Sequence, residues 1–365
     1  MCPRQAFTCS FGNISLKETP DTPFLMSQFL KDLKVLPVPS PNLETYLNQL
    51  SDVISTGWYQ PQKFYFTKIG SHSLQLQLHD SDCDYLVIGV LPQKHFWKHV
   101  LKMLKKDERY LILQDETEYL NPFIKISVDG QKINLSYLKY GCMSDPTKSE
   151  VLNMNMNSFE LADRVSMNKL FDALILKDMI KNYGERFNNF VLGIKNWAKR
   201  RGIYSNRFGY LGGFHWTLLC IKIFQEFPNY TTEQLLYLFF QIYSIWDWDN
   251  NPIFISPFEK KEMEHVILPY RKFTILSLAE PHVNCTSEVT FSSKRVILKE
   301  LAEAKEKIEG NHWEQVWDIF PLKEKYSSYI KISCNAQTLF DYVSWITFIE
   351  SYLASLILQM ERVSK

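Results

Sequence analysis

IGSHSLQLQLHDSDCDYLVIG, residues 69–89, is the stretch from which the rest of the chain is read. Gly70-Ser71 precedes Asp82-Cys83-Asp84, and the aspartates head an apolar run, Tyr85-Leu86-Val87-Ile88, of strand character. Residues two apart in a strand point the same way, so Asp82 and Asp84 leave one face together. Two carboxylates converging at a strand end suit a hard, oxygen-liganded ion, Mg2+ or alternatively Mn2+. A nucleoside triphosphate could meet that clamp with its phosphates beside the Gly70 backbone and the Ser71 hydroxyl. A bare Asp-x-Asp is also how a solvated strand end reads. Gly-Ser upstream and the hydrophobic strand directly after favour the metal.

Further strand-like runs surround this stretch between Lys63 and Tyr140: KFYFTKI, YLILQ, PFIKISV and KINLSYL, with a helical segment near 93–105. Asp129-Gly130 lies between the last two runs and reads as a tight hairpin turn. A small mixed α/β domain follows. Upstream, prolines from Pro3 to Pro61 break the chain into short helices at about 24–36 and 43–54, a segment wrapped on another part of the molecule. Downstream of Lys148 the pattern is helical, with Phe187, Phe190, Val191, Ile194, Trp197 and Ala198 on one helix face. Pro228 ends the helix begun near Phe214, and Thr231 with Gln234 reads as a capping box. The end of the chain shows a strand candidate at 329–334. A long amphipathic helix follows it, with Leu339, Tyr342, Ile346, Ile349, Leu353, Leu356 and Met360 at helical spacing.

At 365 residues the chain calls for two or three domains, each of roughly 100–200 residues. Its 45% apolar and 22% charged residues exclude wholesale disorder. The formal charge is only +1, so bulk charge attracts no polyanion and any such site must be a local patch. The longest apolar runs, 216–224 and 235–246, contain Lys222 and Gln241 and fall short of the ~18 residues of a membrane span. No secretory pattern opens the chain, which predicts an intracellular protein. Seven scattered cysteines without a CxxC pair read as buried thiols. His95 and His99 lie four apart with no further ligand near them in sequence, and Trp246, Trp248 and Tyr237–Tyr243 read as core.

The local patch is IKNWAKRRGIYSNR, 194–207, which gathers Lys195, Lys199, Arg200, Arg201 and Arg207 without an acid. Lys195 and Lys199 lie four apart, on one helix face. Taken alone the patch reads as a solvated basic face. GYLGGFHW follows, and Gly212-Gly213 before a helix lets a ligand approach an electropositive N-terminus.

These stretches together resemble the eukaryotic-type poly(A) polymerases of the polymerase-β-like nucleotidyltransferases. The resemblance runs from Ile14-Ser15-Leu16 and the 18–21 region through Gly70-Ser71, Asp82-Cys83-Asp84, PFIKI with Asp129-Gly130, and IKNWAKRRGIYSNRFGYLGGFHW (194–216). It continues to Phe227-Pro228-Asn229 and Trp246-Asp247-Trp248 with Asn251-Pro252. Oligoadenylate synthetases and the smaller terminal uridylyltransferases share the Gly-Ser and Asp-x-Asp elements but not the WAKRRGIYSN helix with its double glycine.

The resemblance implies an α+β fold. Its parts would be an N-terminal segment (1–56) packing on the central domain, a polymerase-β-like catalytic domain (57–150), a helical central domain (151–312) and a truncated RNA-recognition-motif-like module (313–365). ATP would bind in the cleft between the catalytic and central domains. The implied activity is template-independent addition of AMP from ATP to an RNA 3′ end in mRNA polyadenylation. The implied setting is the nucleus, with RNA-processing factors as partners and the oligomeric state open. Asp82 and Asp84 would ligate catalytic magnesium. Gly70, Ser71, Lys195, Lys199, Tyr204 and Gly213 would contact the nucleotide and its triphosphate, Asn206 and Phe214 would lie on the adenine side, and Asn168 would touch the sugar.

The chain departs from the family at three positions. Asn134 stands where the family has its third metal-binding aspartate, and an amide neither carries that charge nor takes a proton from a primer hydroxyl. Gln75 replaces a glycine four residues after the serine, and Asp80, two before Asp82, replaces a small residue and is a candidate substitute carboxylate. Asn134 keeps a second expectation open, a pseudo-polymerase that binds nucleotide or RNA, or scaffolds a complex, without turnover.

Overall fold

The computed structural model describes residues 17–18, 20, 25–32, 43–59, 62–79, 81–141, 158–255, 273–278 and 284–363. Ile14–Leu16, the expected substitute Asp80 and the start of the expected central domain lie outside them. The chain forms two compact units, one of residues 37–180 with 334–348 and the other of 1–36, 181–333 and 349–365. These divisions differ from the expected boundaries. α1 (Met26–Asp32) packs on the central helices, whereas α2 (Leu43–Ser55) packs its Leu47, Leu50 and Ile54 into the core beneath the sheet.

The first unit is built on five strands: β1 (Tyr65–Lys68), β2 (Cys83–Gly89), β3 (Leu111–Asp115), β4 (Phe123–Val128) and β5 (Gln131–Lys139), in the order β1-β2-β5-β4-β3. Only β2 and β5 run parallel. α3 (Gly70–Ser73) is a single turn between β1 and β2, and α4 (Gln93–Leu104) follows β2. Strand alternation sends Cys83, Tyr85, Val87, Ile133, Leu135 and Tyr137 to one face, where Phe96, Trp97, Val100 and Leu104 of α4 cover them. Asp84, Asn134 and Ser136 therefore leave the opposite face. Asp129 and Gly130 both have positive φ, 48° and 79°, and close the β4–β5 hairpin as the turn expected from sequence. α5 (Leu161–Ile180) packs against β5 and α3. Its buried Asp163 accepts from the Lys139 backbone N–H at 2.8 Å and from Gln93 Nε2 at 2.7 Å, tying helix to sheet.

The second unit is helical. α6 (Gly184–Arg200) buries the predicted face from Phe187 to Ala198 against α7 (Gly213–Glu226) and α8 (Thr232–Ile245). α7 stops before Pro228, and the Thr231–Gln234 capping box forms, with Gln234 Oε1 accepting from Thr231 N at 2.9 Å. Trp246 and Trp248 are core. α9 (Phe291–Glu309) packs on α8.

Three expectations are corrected here. Residues 329–334 form no strand among the described residues. Tyr329, Ile330 and Ile332 are exposed, because no neighbouring strand supplies the ladder hydrogen bonds that such a sequence needs. They lie between the one-turn α10 (Leu322–Lys325) and the long α11 (Leu339–Val363), so no sheet of an RNA-recognition-motif-like module is seen among the described residues. Of the four described cysteines, all free, only Cys83 and Cys220 are buried, while Cys285 and Cys334 are partly exposed. The basic run 194–207 is not one surface. Arg201 is buried, with Nε donating to Glu300 Oε2 at 2.6 Å and Nη1 donating to the Asp318 carbonyl at 3.1 Å, and Arg200 donates to the Trp317 carbonyl. Helix α6 turns these two cations towards α9 and the segment after it, which makes them internal staples.

Breaking the buried Arg201–Glu300 pair leaves a charge without its partner, so Arg201→Met should destabilise the fold by about 3–5 kcal/mol in urea denaturation. The double variant Arg201→Met/Glu300→Leu should recover most of that loss. A single variant within about 0.5 kcal/mol of the parent, the range of ordinary surface substitutions, would contradict the assignment.

Candidate active site

Sheet register brings the first cluster together. Asp84 on β2 is paired with Asn134 on the parallel β5, and Asn134 with Lys125 on the antiparallel β4, so three polar side chains share one rung across three strands. Asn134 Nδ2 donates to Asp84 Oδ1 at 2.8 Å and lies 3.5 Å from Asp82 Oδ2. Lys125 Nζ closes on Asp82 Oδ2 at 2.5 Å. The expected convergence of Asp82 and Asp84 is thus present, and Asn134 sits between them. Burial pushes the Asp84 carboxyl above the usual carboxylate range. The Asn134 hydrogen bond opposes that rise, Asp82 adds to it, and Lys169 and Lys125 oppose it.

Gly70 presses on the same carboxylate. Its φ is +60°, and a Cβ there would sit 2.7 Å from Asp84 Oδ2, so both backbone and space require glycine. Ser71, half-buried, follows it in the α3 turn. Gln75, where the resemblance expects glycine, has φ +57°. A non-glycine residue in that left-handed conformation costs roughly 1–2 kcal/mol.

Sequence reasoning missed three groups. Lys169 on α5, next to Asn168, donates from Nζ to Ser136 Oγ at 2.8 Å. Burial lowers its ammonium pKa to about 8, against the pull of Asp84. Lys125 could have been found from the hairpin, because counting outward from Asp129-Gly130 pairs it with Asn134. His72 sits within α3 with Nε2 3.4 Å from the Tyr85 hydroxyl, and burial lowers its pKa. Asn168 is half-buried on α5.

The residues present fit a divalent ion. Asp82 and Asp84 offer carboxylate oxygens, and the buried Asn134 Oδ1 has no hydrogen-bond partner among the described residues, an oxygen donor in reserve once the amide turns over. Among the described residues no cluster of three or more His, Cys, Asp and Glu side chains forms that could hold a metal ion.

A second cluster lies in the helical unit at the N-terminus of α7. Lys195 is 1% exposed, and its pKa is lowered to about 8, first by burial and then by Lys199. Lys199 Nζ lies 5.2 Å from the Tyr204 ring centroid. A Cβ on Gly213 would run into the Tyr204 hydroxyl, and one on Gly212 would come within 2.8 Å of Asn206 Oδ1. The double glycine therefore lets Tyr204 and Asn206 lie flat on the helix entrance. Gly212 N donates to His215 Nδ1 at 3.2 Å, and burial lowers the His215 pKa to about 4, so the ring accepts as neutral imidazole. Phe214 is half-buried beside it. Lys195, Lys199, Tyr204, Asn206, Gly213 and Phe214 thus gather around one helix N-terminus, whose backbone dipole favours an anion.

Residues 186–319 match the family described as the poly(A) polymerase central domain. That match gives the helical unit a central domain of the poly(A) polymerase type. Nuclear poly(A) polymerase 2 of Arabidopsis thaliana is 26% identical over 311 residues, covering 80% of this chain and 38% of the plant protein. The poly(A) polymerase of Dictyostelium discoideum is 28% identical over 325 residues, covering 81% of this chain and 38% of its own length. The chain thus spans about two fifths of these relatives. Among solved structures, Cid1 in complex with its short product ApU aligns with a TM-score of 0.58 at 13% identity, over 80% of this chain and 98% of Cid1. A cytoplasmic RNA terminal U-transferase aligns at 0.56 and 14%, over 81% and 99%. These neighbours share the fold. The helical stretch that carries the sequence resemblance falls inside the matched central domain.

Gly70→Ala and Gly130→Ala separate the two demands on glycine. Both positions have positive φ, but nothing lies within 4 Å of a Cβ on Gly130. Gly130→Ala should cost only the backbone strain, about 1–2 kcal/mol, and Gly70→Ala clearly more in thermal or chemical denaturation. Equal losses would mean that Gly70 does not bear on Asp84.

Proposed function

We propose that the chain is a template-independent RNA adenylyltransferase, joining AMP from ATP to an RNA 3′ end with release of pyrophosphate. The observation that carries this reading is the rung that aims Asp82 and Asp84 from one sheet face, with Gly70 against it, in a chain whose central domain is of the poly(A) polymerase type. Asp82 and Asp84 would hold magnesium, or manganese in its place. When bound, that ion neutralises phosphate charge and makes the attacking hydroxyl more acidic. Gly70 and Ser71 present backbone and hydroxyl to the phosphates. Lys195, Lys199, Tyr204 and Gly213 receive the triphosphate at the α7 N-terminus, Asn206 and Phe214 take the adenine, and Asn168 takes the sugar. The names of the plant relatives favour the nucleus and a role in mRNA processing alongside other processing factors.

Asn134 sets the rate. With an amide in place of a carboxylate, the primer hydroxyl loses both a negative ligand for its ion and a proton acceptor, a loss that typically costs about 10²–10⁴ in rate. Purified chain, an unstructured RNA primer and each nucleoside triphosphate in turn should therefore show slow extension, best with ATP. Asn134→Asp should raise it by at least about 10²-fold. Preference for UTP, or equal use of all four nucleotides, would overturn the adenylyl assignment. Inertness of both proteins although ATP binds would turn the reading to a nucleotide-binding scaffold.

Lys195 adds a pH dependence. Its ammonium is lost near pH 8 rather than near the ordinary pKa of 10.5, and a bound triphosphate favours the charged form. ATP binding must then take up a proton above pH 8, so calorimetric affinity should fall between about pH 8 and 10. It should change little from pH 6.5 to 7.5. An affinity flat up to pH 10 would remove Lys195 from the phosphate contacts.

A further inference from the structure

Helix α11 carries an apolar stripe that faces solvent. At about 100° per residue, Tyr342, Trp345, Tyr352, Leu356, Met360 and Val363 fall within about a quarter of the helix circumference, and each is between 39% and 88% exposed. Trp345 meets Phe348 edge-on, ring centroids 5.9 Å apart, and Phe348 is itself more than half exposed. Single apolar side chains on a surface need no explanation, but this stripe runs nearly the length of a 25-residue helix. Its exposed area, roughly 700 Å² at about 200 Å² per fully exposed side chain of this size, exceeds the largest apolar patch of a typical monomer and approaches the ~800 Å² that each partner gives to a standard interface. The stripe is also fixed in direction. Glu361 Oε1 accepts from Ser292 N at 2.8 Å and from Thr290 Oγ1 at 2.6 Å, which ties the end of α11 to the start of α9. Glu361 leaves the helix nearly opposite the stripe, so this tether turns the stripe outward.

We propose that α11 is a self-association surface, on which two copies of this chain pair through antiparallel α11 helices with their apolar stripes face to face. Charge selects this occupant. The helix carries Asp341, Glu350 and Glu361 against Arg362, so neither an RNA backbone nor an anionic membrane surface is drawn to it. Asp341, which accepts from Thr338 Oγ1 at 2.8 Å in the first turn, and Arg362 in the last turn border the same edge of the stripe. They lie almost equally far from Tyr352, on either side of it in sequence. With the twofold axis at Tyr352, Asp341 therefore comes beside Arg362 of the partner subunit, and symmetry repeats the pair at the other end. A parallel pairing would set aspartate against aspartate and arginine against arginine, so the charges favour one direction and oppose the other.

Sedimentation equilibrium of the 365-residue chain tests this directly. The parent should be a dimer at low micromolar concentration. Trp345→Glu and, separately, Leu356→Glu should each give monomers with the circular dichroism of the parent, because each puts an unpaired charge into the apolar seam. Arg362→Glu should weaken the dimer by about tenfold, since it turns two attractive pairs per dimer into repulsive ones. Asp341→Arg combined with Arg362→Glu should recover most of that loss. A parent that stays monomeric at about 100 μM, where interfaces of standard size are already formed, would overturn the proposal and leave the stripe to a different partner. A dimer that survives both Trp345→Glu and Leu356→Glu would overturn it as well. A charge exchange that restores nothing would contradict the antiparallel pairing.

Discussion

The register between β2, β5 and β4 is the constraint on which the first unit depends. A shift of one residue in any of these strands would send Asp84, Asn134 or Lys125 into the apolar layer under the sheet and bring an apolar neighbour up in its place. The layer beneath fixes the register, because Tyr85, Val87, Leu135 and Tyr137 pack on α4 and cannot be exchanged for their polar neighbours. The tight Asp129-Gly130 turn fixes it a second time by setting which residue of β4 meets Asn134. Polar chemistry on one face is thus held in place by hydrophobic packing on the other.

The helical unit places charge by the opposite means, through burial. Along one stretch of α6 and its end, Lys195, Arg200 and Arg201 meet different fates according to the helix face that carries them. Arg201 and Glu300 staple α6 to α9, Arg200 fastens the chain near Trp317, and Lys195 is buried beneath the entrance to α7. An ammonium with so little water around it gains more from an arriving anion than an exposed one does. The charge that matters in this unit is therefore less than its sequence suggests and is more sharply placed.

Most of the sheet was legible in the sequence. All five strands lie where alternating apolar runs put them, and Asp82 with Asp84 followed from the period of a strand. The faces of α6 and the limits of α7 and α8 followed from apolar spacing, Pro228 and the Thr231 cap. Two kinds of feature were not legible. Pairing partners far apart in sequence, such as Lys125 with Asp82 or Lys169 with Ser136, depend on register and helix docking that no local pattern encodes. Residues 329–334 have strand composition, but a strand is defined by its neighbour.

The central proposal is that Asp82 and Asp84, with Asn134 between them, form a metal site that serves nucleotidyl transfer. The most direct test is a crystal of the full chain grown with Mn2+ and α,β-methylene-ATP and measured at the manganese absorption edge. The account predicts an anomalous peak bridging the Asp82 and Asp84 carboxylates, with Lys125 moved off Asp82 and a phosphate oxygen on the ion. Bound analogue with its manganese away from these carboxylates, and Lys125 still paired to Asp82, would contradict it.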